Sequence, residues 1–347
     1  MAAVVVRIGI VSWNTAALLD RCLRALPAAL AGTEAEVVVV DNASVDQSAD
    51  RAAAHSGVTV IRNNRNAGYG RAMNQALAGT DAPVLIALNP DTEPPPGSLS
   101  TLVVRLLADP GLGLVAPQLL DGDGSPQYTA RRFPSLGVAA AMCFLPVRAH
   151  GGALGRHLLL EAAAQPARPV DVDWAIGAVH VIRASALRGR TPYDERWFMY
   201  VEDIELCWWL AARGWRRRFE ADITIPHVGN AAGAQAWGDD YERRCFDAIY
   251  DWYRRDVGAR RVRAVAALNA VNAASRAAVG QLARRPAAHV ADRRQAARYH
   301  AGIVRHGPPP PGGSPPPGDY RLDRPPDRPL EPPTGSPLEA GSAIVTD

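Results

Sequence analysis

The sequence lacks several features that would decide its class at once. It has no lysine and only four cysteines, Cys22, Cys143, Cys207 and Cys245, which are far apart and form no CxxC pair. That spacing argues against a zinc site and favours buried structural thiols in a reducing compartment. No run of about 18 apolar residues occurs, so we expect no membrane-spanning helix. The N-terminal segment MAAVVVRIGIVSWN lacks a basic region and a cleavage site, and it predicts a strand, not a signal peptide.

The charge is nearly balanced. There are 38 basic residues, all of them arginine, and 35 acidic ones, which gives a net charge of +3. Such a balance does not predict nucleic-acid binding. With 347 residues, 48% of them hydrophobic, the chain is long enough for one large α/β domain with additions or for two small domains.

Short β-branched runs alternate with amphipathic segments over roughly the first third of the chain. The runs cover residues 4–11, 36–40, 58–61, 84–88 and 112–116. Continuous apolar runs of this length are typical of strands buried on both faces. Strand–helix–strand alternation predicts a parallel sheet with right-handed crossovers, whose ligands lie beyond the carboxyl ends of the strands.

The later part of the chain is more varied. It predicts a tight DGDG turn at 121–124, a strand over 170–181, and helices over 203–213 and 239–255. Residues 257–306 are rich in Ala and Arg and favour helix. The tail from residue 307 is rich in proline, and we expect it to be disordered.

Polar side chains directly follow three of the predicted strands, in VSWNT, VVVVDNAS and LIALNPDT. Asp41 follows four valines, where it could accept hydrogen bonds from a base or a ribose, or close the strand with Asn42 as an Asx-turn. Asp91, with Asn89 beside it, suits a hard cation that also binds diphosphate oxygens, although a Pro-Asp turn is an equally open interpretation. Three strands of one sheet that each end in polar residues indicate a ligand site more specifically than any one of them alone.

The segment NRNAGYGRAMNQAL, residues 64–77, is a glycine-containing loop that leads into a predicted helix. A helix N-terminus of this kind can hold an anion or order a nucleotide. The segment has neither the Walker-type lysine nor the GxGxxG spacing, so by itself it is a weak signal. A nucleotidyltransferase would need a glycine-rich loop with lysine near the N-terminus, and VSWNT offers none.

Two adjacent carboxylates, Glu202 and Asp203, lie behind an aromatic run in FMYVEDIELC. The residues after them have helical spacing, so we expect the pair at a helix N-terminus, where the dipole favours ionised carboxylates. An ionised carboxylate at the edge of an apolar pocket suits a general base. An ordinary helix cap is the other interpretation.

These motifs, in this order, resemble glycosyltransferase family 2, and within it the rhamnosyltransferase-like enzymes of cell-envelope polysaccharide assembly. The resemblance is carried by VSWNT, VVVVDNASVDQS, NRNAGYGRAMNQ, LNPDT, QYTARRFP, VDWAIGA, YDERWFMYVED and IPHVG, collinear from Val6 to Asn230. It implies a GT-A fold, a Rossmann-like and mostly parallel sheet flanked by helices. It also implies a domain at 1–256, with a nucleotide-binding half 1–116 and an acceptor half 117–256, ahead of the helical extension 257–306 and the tail 307–347.

The resemblance implies a role for each site residue by its position in the motifs. Asp203 falls on the catalytic base, with Glu202 as its neighbour. Asp91 and His227 are the implied ligands of Mg²⁺ or Mn²⁺, and Asn89 takes the place of the first acid of the family's DXD motif. A lone histidine is more often structural, but the position of His227 after a predicted strand favours a ligand. The implied nucleotide pocket comprises Ser12, Trp13, Asp41, Asn66, Gly68 and Asn89.

Four further residues are implied on the sugar and acceptor side. Trp174 and Gly177, in VDWAIGA, would wall the donor sugar, although core packing explains Trp174 equally well. Arg131 and Arg132 could reach a diphosphate on a lipid-linked acceptor, because Arg matches phosphate oxygens, while a solvated basic pair is the commoner explanation.

Three positions depart from the family pattern. Ile176 takes the place of a small polar residue, and Glu205 and Trp209 take the places of Asp and Arg. Because these positions touch the sugar pocket and the acceptor side, they weaken any inference about which sugar is transferred.

The sequence therefore predicts an inverting, metal-dependent glycosyltransferase that uses a dTDP- or UDP-linked sugar, rhamnose or another deoxysugar or hexose, and a hydroxyl acceptor. A cation stabilises the departing diphosphate, and inversion needs a single base. The alternative is an inactive relative that binds a nucleotide or glycan as a scaffold. We expect a cytoplasmic protein with no nucleic-acid partner. The Arg-rich region 257–306 would make at most peripheral contact with the inner face of the plasma membrane, and helix packing or a dimer contact explains it equally well.

Overall fold

A computed structural model describes residues 6–144, 168–229 and 241–308 of the chain. Within them an eight-stranded sheet runs in the order β3-β2-β1-β4-β9-β5-β10-β7, and β6 and β8 form a separate two-stranded ribbon. The strands are β1 (Val6–Ser12), β2 (Ala35–Asp41), β3 (Val58–Arg62), β4 (Val84–Leu88), β5 (Leu112–Leu120), β6 (Ala130–Arg131), β7 (Val170–Asp171), β8 (Trp174–Ala175), β9 (Val179–Arg183) and β10 (Arg216–Pro226).

The sheet is mostly parallel, as the sequence predicted. Strand β1 pairs in parallel with β2 on one side and β4 on the other, and β5 pairs in parallel with β10. Strand β9 runs antiparallel between β4 and β5. The chain order reverses beside β1, since β2 and β3 lie on one side of it and β4 on the other. A crevice for ligands is expected at the carboxyl ends of β1 and β4.

Helices cover both faces of the sheet. The helices of the described chain are α1 (Ala16–Leu30), α2 (Ser48–Ala53), α3 (Tyr69–Leu77), α4 (Ser98–Ala108), α5 (Leu136–Phe144), α6 (Glu202–Ala211), α7 (Tyr241–Trp252), α8 (Ala259–Leu282) and α9 (Ala287–His306), of which α5 and α7–α9 pack in a separate core. Helices α1 and α4 bury their leucines against one face, and α3 and α6 pack on the other. Gly9 permits the close approach of α3 to β1, because a Cβ there would lie 2.8 Å from the sulfur of Met73.

The segment 170–181, predicted as one strand, is divided among three strands. Residues of β7 pair with β10, those of β8 pair with β6, and β9 enters the main sheet. One straight strand cannot pair with three different partners, so the chain bends between the three short strands. One bend is at Asp173, whose carboxylate accepts the Phe133 N–H at 2.9 Å, and another is at Gly177.

The predicted helical extension forms two long helices, α8 and α9. They share a core with the segment before α6 and the first turn of α6: Trp197, Val201 and Ile204 are buried with residues of α7, α8 and α9. None of the described helices combines the length and apolar character needed to cross a bilayer. All four cysteines are free, and Cys22, Cys207 and Cys245 are buried. Residues 309–347, nearly all of the tail predicted to be disordered, lie outside the described residues.

Candidate active site

The end of β2 places Asp41 in the crevice. Asp41 is 5% exposed, and its Oδ2 accepts the Ser44 N–H at 3.2 Å. Its Oδ1 is buried and has no hydrogen-bond partner among the described residues. Burial raises the pKa of Asp41, and the hydrogen bonds from Ser44 offset this only in part. The carboxylate therefore has an acceptor atom available for a ligand, as a base- or ribose-binding residue needs.

The amide of Asn42 fixes the loop that precedes α3. Its Nδ2 donates to Asn66 Oδ1 at 2.7 Å and to the Gly68 carbonyl at 3.3 Å. Its Oδ1 accepts from Asn63 Nδ2 and from the Ala67 N–H, both at 3.0 Å. All of this bonding capacity is used within the fold, so Asn42 organises the nucleotide-side loop and does not contact a ligand through its side chain.

The residues at the end of β1 are buried and held within the fold. The Ser12 hydroxyl lies 2.8 Å from the Thr15 hydroxyl, and the Ser12 carbonyl accepts the Asn42 N–H at 2.8 Å. Trp13 is 5% exposed. The structure therefore brings Ser12, Asp41 and Asn66 to one edge of the sheet, as the strand endings predicted.

Asp91 and His227 lie together although 136 positions separate them in the sequence. His227 Nε2 is 3.3 Å from Asp91 Oδ1 and 3.5 Å from Asn89 Nδ2. Asp91 Oδ2 accepts the Gly229 N–H at 3.1 Å. Burial alone would raise the pKa of Asp91, but His227 and the backbone N–H groups, including that of Gly229, hold it below its ordinary value.

Gln127 sets the orientation of the histidine ring. Its Nε2 donates to Asp121 Oδ1 and to the His227 carbonyl, both at 2.8 Å, so its Oε1 accepts from His227 Nδ1 at 2.9 Å. In the neutral ring this leaves a lone pair on Nε2, the atom that faces Asp91. Asn89 Oδ1, nearby, is buried with no hydrogen-bond partner in the described ranges.

These donor atoms fit a divalent cation. An imidazole nitrogen and a carboxylate oxygen face each other at 3.3 Å, and Gln127 supplies the outer hydrogen bond that metal-binding histidines usually have. Across the described part of the chain, no group of three or more His, Cys, Asp or Glu side chains is suited to a metal ion. Asp91 and His227 would therefore leave other coordination positions to a ligand.

Asp203 begins α6 with both carboxylate oxygens hydrogen-bonded. Oδ2 accepts the Gly177 N–H at 3.2 Å, and Oδ1 accepts the N–H of Ile204 at 2.8 Å. Glu202 is 8% exposed, and its Oε2 has no partner among the described residues. Both side chains lie at the helix N-terminus, as the sequence predicted.

Burial opposes the ionisation expected from the helix dipole, and it does so more strongly for Glu202 than for Asp203. Burial raises the pKa of Glu202, and the charge of Asp203 raises it further. Burial also raises the pKa of Asp203, but the N–H groups of Ile204 and Gly177 and the charge of Arg131 offset part of this. Desolvation, the largest effect on both groups, thus outweighs the helix dipole. Asp203 loses its proton before Glu202, so the pair holds one proton over an intermediate pH range.

The segment Gly177–Ala178 connects the two carboxylate sites. The Gly177 N–H donates to Asp203, while the Ala178 carbonyl accepts the Asn89 N–H at 2.8 Å. A Cβ on Gly177 would lie 3.2 Å from the Asp203 Cβ, which is closer than most real contacts. The backbone at 177–178 thus fixes Asp203 relative to the Asn89–Asp91 turn.

Tyr69 is a site residue that the sequence analysis missed. Its hydroxyl donates to the Gly177 carbonyl at 3.3 Å, and its N–H donates to the Phe198 carbonyl at 2.8 Å. Burial raises the pKa of Tyr69 well above its ordinary value, and the charges of Glu202, Asp203 and Asp91 raise it further. Tyr69 is therefore a permanent hydrogen-bond donor between the nucleotide-side loop and the base. Its position between Gly68 and Gly70 was the only signal in the sequence.

Gly68 is needed for the same contact. It has φ of +85°, and a Cβ there would lie 2.4 Å from the Phe198 carbonyl oxygen. The nucleotide-side loop and the loop before α6 therefore touch through backbone atoms.

Trp174, Arg131 and Arg132 lie on the acceptor side. The Arg131 guanidinium is 5.6 Å from the centre of the Trp174 ring, and its Nε donates to the Tyr128 carbonyl at 3.0 Å. Arg132 lies 3.5 Å from Asp173, and Trp174 Nε1 donates to the Arg132 carbonyl at 2.8 Å. Since Arg131 acts on the pKa of Asp203, this arginine belongs to the site, whereas Arg132 has a carboxylate neighbour of its own.

The departures from the family pattern at Glu205 and Trp209 form one structural group. Glu205 is paired with Arg190 at 2.8 Å, and the Trp209 ring contacts the guanidinium groups of Arg190 and Arg213 at 4.8 and 3.8 Å. Such stacking stabilises the outer face of α6. Ile176 is half-buried against the sheet core.

The turn before the base is strained. Tyr200 and Val201 have φ of +70° and +73°, a conformation that a β-branched residue such as valine rarely adopts. Each costs about 1–3 kcal/mol and persists only where packing enforces it. Val201 is 2% exposed in the core shared with the C-terminal helices, which supplies that packing.

Known proteins resemble the chain in sequence and in fold. The family profile described as "Glycosyl transferase family 2" matches residues 8–162. The N-acetylglucosaminyl-diphospho-decaprenol L-rhamnosyltransferase of Mycobacterium tuberculosis is 30% identical over 207 residues, 55% of this chain and 66% of the relative. The pre-mycofactocin glycosyltransferase of the same organism is 30% identical over 211 residues, 59% of this chain and 39% of the relative. The matches thus span just under two thirds of the first relative and a smaller part of the second.

Among solved structures, the mannosyltransferase PcManGT of Pyrobaculum calidifontis, in complex with GDP-Man and Mn²⁺, has a TM-score of 0.52. It is 16% identical, and the match covers 87% of each chain. The likeness identifies the fold as GT-A. The chain carries a glycosyltransferase family 2 domain at residues 8–162 and is rhamnosyltransferase-like in sequence.

Proposed function

We propose that this protein is an inverting, metal-dependent glycosyltransferase that moves a sugar from a nucleoside diphosphate donor to a hydroxyl acceptor. The observation that carries the proposal is the Gly177–Ala178 backbone, which hydrogen-bonds Asp203 on one side and Asn89 on the other. A candidate base and a candidate diphosphate site are thereby held in a fixed relation, as an in-line displacement requires.

Asp203 has the properties of the base that this reaction needs. Its raised pKa makes it a stronger base than an ordinary aspartate, and its hydrogen bonds hold it in one orientation. Glu202, which keeps its proton to higher pH, prevents a second negative charge in the same buried space. Asp203 would accept the proton of the acceptor hydroxyl as that oxygen attacks the sugar.

Asp91 and His227 would hold Mg²⁺ or Mn²⁺, with Asn89 Oδ1 close by. When bound, the cation stabilises the negative charge on the departing diphosphate. Asp41 would accept hydrogen bonds from the base or ribose through its unpaired Oδ1. Asn42 would keep the Asn66–Gly68 loop in place around the nucleotide.

The substrate class follows from the relatives. The name of the first relative describes an L-rhamnosyltransferase acting on a diphosphate-linked polyprenol. We extend this to a dTDP- or UDP-linked donor carrying rhamnose or a similar deoxysugar or hexose, and to a lipid-linked acceptor in cell-envelope glycan synthesis. Arg131, beside Trp174 and within electrostatic reach of Asp203, would contact the acceptor diphosphate.

A panel of nucleotide sugars tests the proposal. With Mn²⁺ present, dTDP-rhamnose or one of a set of UDP-hexoses is expected to raise the Tm, and EDTA is expected to reduce the shift, because a ligand stabilises the folded state that binds it. Release of nucleoside diphosphate in the presence of N-acetylglucosaminyl-diphospho-polyprenol then measures transfer. Donor binding without transfer to any acceptor would favour the scaffold alternative.

A further inference from the structure

The two C-terminal helices carry a net positive charge larger than that of the whole chain. Residues 259–306 contain ten arginines and one acidic residue, Asp292, a formal charge of +9, whereas the whole chain has +3. The remainder of the chain is therefore net negative. Charge segregated on one pair of helices favours an anionic partner for that part of the surface.

Exposed apolar side chains lie on the same part of the molecule. Seven large apolar residues are exposed among the described residues, and five of them lie on α5 and α8: Leu136, Phe144, Val271, Val279 and Leu282. Val271 and Leu282 are eleven residues apart, which places them on the same side of α8 after three turns. Phe144 follows Cys143, whose thiol donates to the Leu268 carbonyl at 2.8 Å, so the end of α5 lies alongside the middle of α8.

The turn between α8 and α9 combines both properties. Leu282 is 85% exposed, and Val279 is 63% exposed. Arg284 and Arg285 follow, exposed and without a carboxylate partner in the described parts of the chain. The turn itself is closed: the Arg284 N–H donates to the Gln281 carbonyl at 3.2 Å, and the Arg285 N–H to the Gly280 carbonyl at 2.8 Å. The backbone therefore holds these side chains outward in a defined arrangement.

We propose that this surface docks on an anionic lipid bilayer. The hairpin face, defined as Val271, Val279, Leu282, Arg284 and Arg285, would place Val279 and Leu282 at the level of the acyl chains and the arginines at the lipid phosphates. An interface of headgroups over hydrocarbon accommodates both kinds of side chain. A nucleic acid offers phosphates but no apolar layer for exposed aliphatic groups, so the lipid is favoured over it. No residue of the candidate active site takes part.

Vesicle co-sedimentation of the full chain tests the proposal. Vesicles of phosphatidylglycerol and phosphatidylcholine are expected to bind the protein at least tenfold more strongly than vesicles of phosphatidylcholine alone, with a loss at high salt. The double variant Arg284→Glu/Arg285→Glu is expected to lower the partition coefficient about tenfold or more, since each arginine contributes about fivefold. Val279→Ser/Leu282→Ser is expected to lower it about fivefold.

Matched control variants on the catalytic domain show whether vesicle binding depends on where the residues lie or only on the change in charge and hydrophobicity. Arg51→Glu/Arg188→Glu makes the same charge change, and Val104→Ser removes an equally exposed valine, 64% against 63%. These variants are expected to bind vesicles within about twofold of the wild type. All the substituted side chains are exposed, so the far-UV circular dichroism and Tm should be unchanged throughout.

Three results would overturn the proposal: no binding to the anionic vesicles, equal binding by the hairpin variants and the controls, or tighter binding to duplex DNA than to vesicles. None of them bears on sugar transfer, which is measured with soluble donor and detergent-dispersed acceptor.

Discussion

The two sides of the candidate site are held in different ways. On the nucleotide side, Asn42 makes four hydrogen bonds that fix the loop 63–68 at the end of a rigid strand. Both sides have non-glycine residues with positive φ, Asn14 and Ala43 on the nucleotide side and Tyr200 and Val201 on the acceptor side, but only Val201 is β-branched. The first side is organised by its own polar groups, and the second is held by packing from outside. The costliest backbone strain, at Val201, thus lies beside the carboxylate where we place the chemistry.

Asp203→Asn should have the largest effect. Without the base, transfer is expected to fall by about 10²–10⁴-fold, while the Tm shift caused by donor and Mn²⁺ stays as in the wild type. Asp123→Asn, on an exposed turn, is the matched control and should keep full activity. Near-wild-type turnover of Asp203→Asn would show that the base lies elsewhere and that the acceptor side is not the strained, reactive side.

Asn42→Ala should disturb the nucleotide side alone. Loss of its hydrogen bonds is expected to lower the free energy of unfolding by about 2 kcal/mol and to raise the donor KM more than it changes kcat. Urea unfolding and steady-state kinetics measure both, with Asn64→Ala in the exposed part of the same loop as the control. A change in kcat with no change in the donor KM would contradict the assignment of Asn42 to the nucleotide side alone.

Tyr69→Phe tests the connection between the sides. Removing the hydroxyl breaks the hydrogen bond to the Gly177 carbonyl, and we expect kcat to fall about fivefold with little change in donor KM. Thr101→Val removes a hydroxyl-to-carbonyl hydrogen bond, to Gly97 at 2.7 Å in the exposed first turn of α4, and should leave kcat unchanged. If both variants behave alike, Tyr69 is structural and does not position the base through Gly177.

Glu202→Gln should give the smallest effect, visible as a pH dependence of stability. Because the folded-state pKa of Glu202 is raised to about 8, the folded chain keeps a proton that the unfolded chain loses near its ordinary pKa, so wild-type stability falls as pH rises between these values. The glutamine variant has no ionisable group at position 202, so this pH dependence of stability is absent from it. The Tm of the variant relative to wild type should therefore rise by a few degrees between pH 5 and pH 8. A pH-independent difference would contradict the raised pKa.

The sequence was informative where a local pattern decides the structure. Apolar runs ending in Asp41 and Asp91 predicted a parallel sheet with polar groups at one edge, and the sheet is confirmed. The antiparallel course of β9 and the division of 170–181 depend on partners distant in sequence, so no local pattern contains them. The raised pKa values of Glu202 and Asp203 could not be predicted, because the helix dipole is readable from position in the sequence but burial is not. The Gln127–His227 pair and the Tyr69–Gly177 bond join residues about a hundred positions apart, and the assigned roles of the site residues stay predictions.

The core shared by Trp197, Val201 and Ile204 with the last helices bears on how this protein can vary. The strained turn beside the base depends on side chains from α7, α8 and α9, so a chain shortened after residue 256 would lose packing directly beneath Asp203. We expect such a chain to bind the donor in a position that is poorly aligned for attack. Sequence changes in the C-terminal helices that adapt the proposed docking surface must also preserve this buried support. The docking surface and the reactivity of Asp203 therefore cannot vary independently.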